Sequence, residues 1–252
     1  MGEAKDLILR PISAADANAL VKRVHYSGKV VQNSQVHIGV FHRGNLEGAM
    51  QFGPSLDKRK IQPLVRGTLW NEFIELNRMA FTDVLPRNSE SRALAIAFKL
   101  LRKHAPQLKW VVTFADATQC GDGTIYRAAG FVLTGIKENN QIWELPGGMK
   151  VSRTAITAQG SKGASQQKRT IVSRLTVTKA QHIVETGASS MKAYIEAGFK
   201  PLPGYQLRYI YFLDPSYRER VTVPVLPFEK IDEIGAGMYR GKKRSSSANE
   251  AT

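Results

Sequence analysis

Apolar and polar positions follow two different periods along the first 145 residues, and these periods predict alternating helices and strands. The clearest helix is predicted at residues 89–103, where apolar side chains recur three and four positions apart and basic side chains occupy other faces. Pro106 predicts its end. Ser13 is a suitable N-cap for an earlier helix at residues 14–24, and residues 109–114 form a run typical of a buried strand.

Turn residues between apolar segments predict two hairpins. Arg43-Gly44-Asn45 separates one pair of segments, and Glu138-Asn139-Asn140 separates another. The predicted strands lie at residues 7–12, 37–41, 46–52, 73–81, 109–114, 131–134 and 141–145, and the predicted helices at residues 14–24, 89–103 and 123–129. This order predicts the α/β class, with a mixed central sheet flanked by helices.

The composition changes after residue 148, and this change divides the chain. Beyond it the sequence becomes rich in Ser, Gly, Gln and basic residues, until residues 189–197 predict a helix and residues 206–213 a strand. The predicted organisation is a catalytic core at residues 1–148, a basic loop or arm at 149–178, a helix–strand extension packing on the core at 179–240 and a disordered basic tail at 241–252.

One six-residue pattern occurs twice. Residues 126–131 and 194–199 both read Tyr-x-x-Ala-Gly-Phe. Because glycine is common just after the last residue of a helix, the pattern predicts a helix–glycine–strand junction at both places. We interpret it as a shared helix-ending signal and not as a duplication.

The charge of the chain indicates its partner class. Lys and Arg number 36 against 21 Asp and Glu, a net charge of +15, which favours a polyanion such as nucleic acid over a merely solvated basic surface. Apolar residues make up 42% of the chain and exclude wholesale disorder, and the single cysteine excludes a disulfide framework. The N-terminal apolar run is too short for a secretory signal, so we expect a cytoplasmic protein with no membrane partner.

Polar side chains concentrate where predicted strands end or cross the centre of the sheet. Asp116 follows the strand at 109–114, and the carboxyl ends of strands in open α/β sheets face ligands. Asp116 is therefore a candidate base toward an amine or a candidate binder of the donor's amine, the alternative being a cap of its own turn. On the strand at 73–81, Glu75 and Asn77 share one face and Arg78 points to the other. Glu75 is either a general base or the partner of a buried basic group.

The loop after Asp116 contains Gln119 and Cys120. A cysteine can carry an acyl group, but the spacing places no His or Asp partner beside Cys120, so an ordinary loop residue is the favoured interpretation. Other residue types that bind metals occur at His25, His37, His42 and Asp116. Their spacing matches no ligand pattern, so a metal site, for iron or for another metal, is an open alternative that the spacing does not support.

Several stretches have unusual sequences that cover most of the chain. They are residues 25–31 (HYSGKVV), 50–60 (MQFGPSLDKRK), 70–81 (WNEFIELNRMAF), 85–92 (LPRNSESR), 114–126 (FADATQCGDGTIY) and 204–209 (GYQLRY). These stretches resemble the Mom family of phage DNA-modification proteins. The order of elements, with a strand, an aspartate and a helix ending in Tyr-x-x-Ala-Gly-Phe, resembles the GNAT acyltransferase fold.

The resemblance implies an activity. Members of that family convert adenine in double-stranded DNA to N6-carbamoylmethyladenine, which protects phage DNA from host restriction. It implies an acyltransferase-like enzyme that acts on a base flipped out of the duplex. It also implies catalytic roles for Tyr126, as general acid to the leaving group, and for His25, as a proton carrier, with Tyr26 stacking on the flipped base. The alternative for each is a packing role.

Residues 86–92 differ from the corresponding loop of GNAT proteins, and this difference concerns the acyl donor. GNAT proteins commonly bind the coenzyme A pyrophosphate on a glycine-containing loop before the central helix, whereas residues 86–92 contain no glycine and Glu90 would repel a pyrophosphate. A carbamoylmethyl group has the atoms of a glycyl unit, so glycyl-tRNA is the alternative to acetyl-CoA. Candidate substrate- and donor-binding residues are Glu75, Asn77, Arg78, Asn88, Ser89, Glu90, Arg92, Gln119 and Cys120.

Candidate binders of DNA phosphates are basic: Lys58, Arg59, Lys60, Arg66, Lys168, Arg169 and Arg208. Two other functions fit the sequence less well. One is a non-catalytic basic nucleic-acid-binding protein on a degenerate acyltransferase fold, which the missing glycine loop favours. The other is an ordinary acetyl-CoA N-acetyltransferase, which that loop and the charge disfavour. The donor, the target sequence and the oligomeric state stay open at this level.

Overall fold

The computed structural model describes residues 3–118, 121–157, 168–187, 190–239 and 242–243 of the 252-residue chain. The chain divides into two compact units. The first consists of Met1–Ile136 together with Leu207–Thr252, and the second of Lys137–Gln206. In sequence, the second unit is therefore an insertion into the first. Among the described residues, no helix combines the length and the apolar character needed to cross a membrane.

The strands form three sheets. In chain order they are β1 (Ile8–Pro11), β2 (Val36–His42), β3 (Asn45–Gly53), β4 (Phe73–Phe81), β5 (Trp110–Asp116), β6 (Val132–Glu138), β7 (Ile142–Glu144), β8 (Lys150–Ser152), β9 (Lys200–Pro201), β10 (Tyr205–Phe212), β11 (Met238–Tyr239) and β12 (Lys242–Lys243). The main sheet has the order β1-β2-β3-β4-β5-β10-β6. Strands β1 to β4 pair antiparallel and β4 pairs with β5 in parallel, which confirms the predicted mixed sheet.

Helices precede or follow most of these strands. They are α1 (Ala14–Val24), α2 (Lys58–Ile61), α3 (Ser89–His104), α4 (Thr124–Ala128), α5 (Arg153–Thr157), α6 (Thr178–Thr186), α7 (Met191–Glu196) and α8 (Glu229–Glu233), with helical turns also at residues 168–172. The Ser13 hydroxyl caps α1 as predicted, because it accepts the N–H of Asp16 at 3.0 Å. The apolar stripe of α3 is buried at Ala93, Leu94, Ala97, Phe98 and Leu101.

The two central strands β4 and β5 pair along only part of their length. Their pairs run from Phe73–Trp110 to Glu75–Val112. Both strands are described throughout and both continue, to Phe81 and to Asp116, without a further pair. The strands therefore diverge after Glu75. A gap between the carboxyl ends of two parallel strands is a common place for a ligand.

The segment between β3 and β4 is anchored to the sheet by aromatic residues. Trp110 is fully buried and stacks on Phe73, with ring centroids 4.7 Å apart and an interplanar angle of 9°. Its indole Nε1 donates to the Thr68 hydroxyl at 3.1 Å. Ile61 and Leu64 join the same buried cluster. These contacts hold the segment that carries α2 against strands β4 and β5.

The second unit has its own sheet and core. Strand β7 lies between β8 and β9 in a three-stranded sheet. One hydrophobic cluster contains residues from every helical segment of this unit, among them Ile156, Ile171, Ala180, Val184, Tyr194 and Phe199. The prediction of a loop at residues 149–178 is therefore wrong for residues 150–157, which form β8 and α5, and for the helical residues 168–172. Few apolar residues occur there, but those few are buried. Residues 158–167 lie outside the described ranges.

Two further predictions at this level are wrong. The segments near residues 132 and 143 do not form a hairpin, because β6 belongs to the main sheet and β7 to the smaller one. Strand β10 is not an extension but lies between β5 and β6. The units accordingly divide at residues 136 and 206 and not at 148 and 178. Of the tail predicted to be disordered at residues 241–252, Lys242–Lys243 form β12 and pair with β11, so the prediction is wrong there, and the other residues lie outside the described ranges.

Both predicted helix–glycine junctions form. Gly130 and Gly198 have φ angles of +86° and +90°, which suit glycine. In each case the following phenylalanine N–H donates to the tyrosine carbonyl five residues earlier, at 3.0 Å for Phe131 and 3.1 Å for Phe199. These bonds satisfy carbonyl groups at the helix ends.

Candidate active site

His25 ends α1 and is held in place by the turn that follows it. The Nδ1 atom accepts the backbone N–H of Ser27 at 3.1 Å and lies 2.8 Å from the Ser27 hydroxyl. The Ser27 hydroxyl accepts the Lys29 N–H at 3.3 Å. Because a backbone N–H can only donate, Nδ1 is an acceptor and the proton of the neutral ring resides on Nε2.

The surroundings keep His25 neutral. Burial, and secondarily the nearby Arg78 guanidinium, lower the pKa of His25 to about 4. At neutral pH the ring therefore offers a fixed Nε2–H donor and no positive charge. The ring of Tyr26 lies beside it, with centroids 4.3 Å apart, and 49% of Tyr26 is exposed.

A β-bulge in β4 shapes the opposite part of this site. Gln51 of β3 pairs with Arg78, and the next residue, Phe52, pairs with Leu76, so Asn77 is the extra residue. The Asn77 Oδ1 accepts the Ser34 hydroxyl at 3.1 Å. The bulge breaks the strict alternation along the strand. This explains why Arg78, predicted to point away, reaches the same group of side chains.

Glu75 is the central carboxylate of the group. Burial raises its pKa, while the nearby Ser55 hydroxyl and Asn77 side chain, and the charge of Arg78, act in the opposite direction. The Arg78 guanidinium donates from Nε to the Lys29 carbonyl at 3.1 Å. Arg78 therefore links Glu75 on β4 with the segment after α1. Burial and Arg78 also lower the pKa of Lys29.

A groove begins beside this group at Ser55. It has a volume of about 500 Å³ and is lined by Gln35, Pro54, Ser55, Leu56, Asp57, Lys58, Arg59 and Trp70. The Lys58 ammonium donates to the Trp70 carbonyl and lies 4.6 Å from the centroid of the Trp70 ring. One wall of the groove is therefore aromatic and basic. Ser55 lines the groove, and its hydroxyl lies close to the Glu75 carboxylate.

Comparison with known proteins identifies the family. The sequence model of the Mom protein family matches residues 6–230. The chain belongs to the Mom protein family. Methylcarbamoylase Mom of Escherichia phage Mu is 37% identical over 163 residues, which cover 64% of this chain and 67% of the phage Mu protein. The predicted resemblance to this family is confirmed.

Solved structures similar to this Mom-family chain are N-acetyltransferases. Spermidine/spermine N-acetyltransferase SpeG from Vibrio cholerae has a TM-score of 0.43 and 9% identity, and the match covers 86% of this chain and 98% of that one. The ribosomal-protein-S18-alanine N-acetyltransferase from Escherichia coli has a TM-score of 0.42 and 11% identity, covering 82% and 94%.

Asp116 lies at the end of the diverging part of β5, four positions beyond Val112, the partner of Glu75. Its Oδ1 accepts the N–H of Thr118 at 2.9 Å, which is the turn-capping role considered as the alternative. Gln119 and Cys120 lie outside the described residues. The register thus separates Asp116 from the group around Glu75 by several positions along the strands.

Tyr126 lies on α4 in an aromatic group. Its ring centroid is 5.3 Å from that of Phe131 and 5.5 Å from that of Tyr209. The Tyr209 hydroxyl donates to the Asp122 carbonyl. Gly123 has a φ of +80°, and a Cβ there would lie 2.5 Å from the Tyr209 ring, so only glycine fits between them. Tyr126 therefore has the packing contacts considered as the alternative to a general-acid role.

The residues expected to hold the donor surround the start of α3. Asn88 precedes the helix with a φ of +67°. Ser89 is fully buried and its hydroxyl donates to the Pro86 carbonyl at 2.6 Å, which closes the turn. Glu90 lies in the first turn, where its carboxylate complements the positive end of the helix, and Arg92 donates to the Lys5 carbonyl at 3.4 Å. These residues fit a pyrophosphate poorly.

The predicted metal-ligand types do not converge. Within the described ranges, three or more His, Cys, Asp or Glu side chains come together nowhere in a way that would hold a metal ion. His37 Nδ1 lies 3.4 Å from the Gln51 amide, and His42 is buried at the end of β2. The four residues considered from the sequence therefore do not form one site.

The basic candidates divide into several places. Lys58, Arg59 and Lys60 form α2 at the rim of the groove, and Arg66 is exposed just beyond. Arg208 is bound inside the sheet, because Nε and Nη2 donate to the Thr134 hydroxyl at 3.1 Å and the Thr134 carbonyl at 2.7 Å. This geometry favours a structural role for Arg208 over the predicted phosphate contact. Lys168 and Arg169 belong to the second unit.

Some residues of the site carried no signal that singled them out. Ser55 and Trp70 lie in stretches already noted for their unusual sequence and Ser34 lies outside them, and each is an ordinary residue type. Arg220, whose carbonyl accepts the Arg66 N–H at 2.8 Å, is distant in sequence from α2. Only the pairing of segments far apart in the chain brings these residues to the groove and its rim.

Proposed function

We propose that this chain is a phage DNA-modification enzyme that converts adenine in double-stranded DNA to N6-carbamoylmethyladenine and so protects the DNA from host restriction. The observation that carries the proposal is the group of His25, Glu75 and Arg78 beside a groove with a basic and aromatic wall. Membership of the Mom family supports it, as does the name methylcarbamoylase of the relative from phage Mu.

Glu75 is the proposed general base. The exocyclic amine of adenine must lose a proton when it attacks an acyl carbon. A carboxylate whose pKa is raised by burial accepts a proton more readily at neutral pH than an exposed one. The Ser55 hydroxyl and the Asn77 side chain lie close to the carboxylate, and Ser55 also lines the groove.

His25 is the proposed donor to the developing oxyanion. Its neutral ring and fixed Nε2–H can donate to a carbonyl oxygen without first losing a proton, and Arg78 adds positive charge nearby. This role replaces the proton-carrier role expected from the sequence, because a histidine with a pKa of about 4 does not gain a proton near neutral pH. Tyr26, half-exposed beside His25, is the proposed stacking partner of the base.

The proposed donor is a glycyl ester such as glycyl-tRNA. Adenine N6 attacks the ester carbonyl, an N6-glycyl amide forms, and the tRNA hydroxyl leaves with the proton. The glycine amine then attacks C6 of the ring and displaces the original N6. The product holds the glycine nitrogen on the ring and the original N6 as the carbamoyl amide. No atom beyond the glycyl unit is required.

The donor side of the site is proposed at the divergence of β4 and β5. Asp116, at the end of β5, would hold the ammonium group of the glycyl unit, and Asn88 and Arg92 at the start of α3 would contact the remainder of the donor. Tyr126 on the following helix would supply the proton to the leaving hydroxyl. The negative Glu90 favours a donor that approaches without a pyrophosphate.

Mass analysis of plasmid nucleosides from cells that express the protein tests the modification. Wild type should yield a heavier deoxyadenosine of the carbamoylmethyl mass, Glu75→Gln should reduce it by a factor of about 10² or more, and Glu229→Gln on α8 should not change it. An acetyl mass would instead identify an acetyltransferase. Duplex binding without any heavier nucleoside would identify a non-catalytic binding protein.

Isotope-labelled glycine tests the donor. In cells fed glycine labelled on nitrogen, the modified base should carry one labelled nitrogen more than the unmodified deoxyadenosine of the same cells, because glycine nitrogen also enters every purine ring during its synthesis. This additional label should stay on the base when the carbamoyl amide is removed. Additional label lost with the carbamoyl amide would exclude the rearrangement. Absence of additional label would exclude a glycyl donor.

A further inference from the structure

Leu56 is unusually exposed for a large apolar residue. Among the described residues of this type it has the largest exposed fraction, 94%, at a bend between β3 and α2. Single exposed leucines are common on protein surfaces, so exposure alone indicates nothing. The position of Leu56 differs in two respects, which are the rigidity of its backbone and the groove behind it.

The residues on both sides of Leu56 are held by side-chain bonds. Before it, the Pro54 carbonyl accepts the Asn33 amide at 3.0 Å, and Ser55 is buried. After it, the Asp57 carboxylate caps α2 and forms an ion pair of 2.6 Å with Lys60. The leucine side chain therefore projects from a backbone that is fixed at both ends.

The groove behind Leu56 has the features of a site for a planar base. Trp70 lines it and is 53% exposed, so a ring face is available for stacking. The Lys58 ammonium, between the rings of Trp70 and Phe73, fixes this wall. Arg59 and Lys60 follow Lys58 on the same short helix, where they can contact phosphates next to an extruded nucleotide.

We infer that Leu56 enters the duplex in place of the extruded adenine, while the groove lined by Ser55 and Trp70 receives the base. The inference rests on the proposed function and adds the residue that stabilises the open duplex. Extrusion leaves a gap between neighbouring base pairs, and a rigid apolar side chain that fills it restores part of the lost stacking. Duplex DNA is the occupant that fits, because three consecutive basic residues, Lys58 to Lys60, begin two positions after the exposed leucine.

Fluorescence of 2-aminopurine tests this role without any donor. Duplexes from a plasmid segment carry 2-aminopurine at each adenine in turn, and the fluorescence rises where the full-length protein unstacks the base. Leu56→Ala should reduce that rise about tenfold. Leu69→Ala, which removes another exposed leucine (62% exposed), should leave it unchanged.

Placing the 2-aminopurine opposite an abasic site gives the second comparison. The base is then already unpaired, and Leu56→Ala should bring the fluorescence close to the wild-type value. The inference is overturned if Leu56→Ala behaves like Leu69→Ala, if the abasic duplex does not restore the signal, or if Leu56→Ala instead dissolves a dimer of the protein. A Leu56-dependent signal without heavier deoxyadenosine in cells would disprove the proposed function but leave base extrusion in place.

Discussion

His25 illustrates how a residue's environment selects one of its possible roles. Its Nδ1 accepts the Ser27 N–H, and burial together with Arg78 keeps the ring neutral. A histidine in this state is a directed hydrogen-bond donor through Nε2. The sequence identified the residue, but a proton carrier and a neutral donor have the same residue type, so only the contacts distinguish them.

The neutral state of His25 makes stability depend on pH. The unfolded chain binds a proton near pH 6.5, whereas folded His25 binds one only near pH 4, so stability present above pH 6.5 is lost as the pH falls through this range. Between pH 7 and pH 4, the unfolding free energy of His25→Asn should therefore fall by roughly 2 kcal/mol less than that of wild type. Urea unfolding at several pH values measures this.

His182→Asn, at an exposed position of α6, is the matched control and should keep the wild-type pH dependence. If plots of unfolding free energy against pH were parallel for wild type and His25→Asn, His25 would not be held neutral in the folded chain.

At the scale of elements, the bulge in β4 and the end of β3 form the centre of the site. The bulge residue Asn77 faces Gly53, where an added Cβ would lie 2.7 Å from Asn77 Oδ1 and 2.6 Å from the Asn33 carbonyl oxygen. Position 53 of β3 therefore requires a glycine, because the loop after α1 approaches it closely. A local pattern indicates a strand at both segments, but it does not indicate a bulge, because a bulge depends on the partner strand.

Gly53→Ala tests this close approach. We expect the variant to lose about 1–3 kcal/mol of unfolding free energy and most of its modification activity, because backbone atoms of the loop must move. Thermal unfolding and nucleoside mass analysis measure the two effects. Gly121→Ala, where the nearest atom would be 3.7 Å away, is the control and should change neither. Unchanged stability and activity of Gly53→Ala would show that the loop accommodates the added Cβ at no measurable cost.

At the scale of the whole molecule, the structure shows where some of the basic residues behind the net charge of +15 lie. Lys58, Arg59 and Lys60 stand at the rim of the groove, whereas Arg208 is bound within the sheet. Under the proposed function, the charge available to bind DNA is therefore smaller than the total charge, and position decides which residues contribute.

Salt dependence of duplex binding measures this contribution. Arg59→Ala should weaken binding and lower the slope of log Kd against log salt by about 1, since each phosphate contact releases counterions. Lys103→Ala, exposed on α3, should leave the slope unchanged. Equal slopes for the two variants would remove the rim of the groove from the DNA-binding surface.

The two units have separate hydrophobic cores, and this separation is also testable. Ile156 is fully buried in the cluster of the second unit. We expect Ile156→Ala to cost about 2–4 kcal/mol and to accelerate hydrogen exchange in residues 142–199, with β2 to β4 unaffected. Val177→Ala, at a position 43% exposed, should have little effect. Acceleration throughout the chain would show that the units unfold together.

The sequence by itself determined the helices with a clear period, such as α3, the capped start of α1 and both glycine junctions. These features depend on residues three to five positions apart, which a local pattern contains. It also determined the family, through long stretches such as residues 70–81. From the sequence came most members of the candidate site as well, including His25, Glu75, Asn77 and Arg78.

Only the tertiary structure decided the partner of β6, the bulge at Asn77, the groove beside Ser55 and the neutral state of His25. Each depends on segments that are far apart in the chain. The partner of β6 is β10, which follows the inserted second unit in the sequence, and the lowered pKa of His25 depends on its burial and on Arg78 from another element. Pairing and burial are properties of the assembled chain, and no local period of apolar residues contains them.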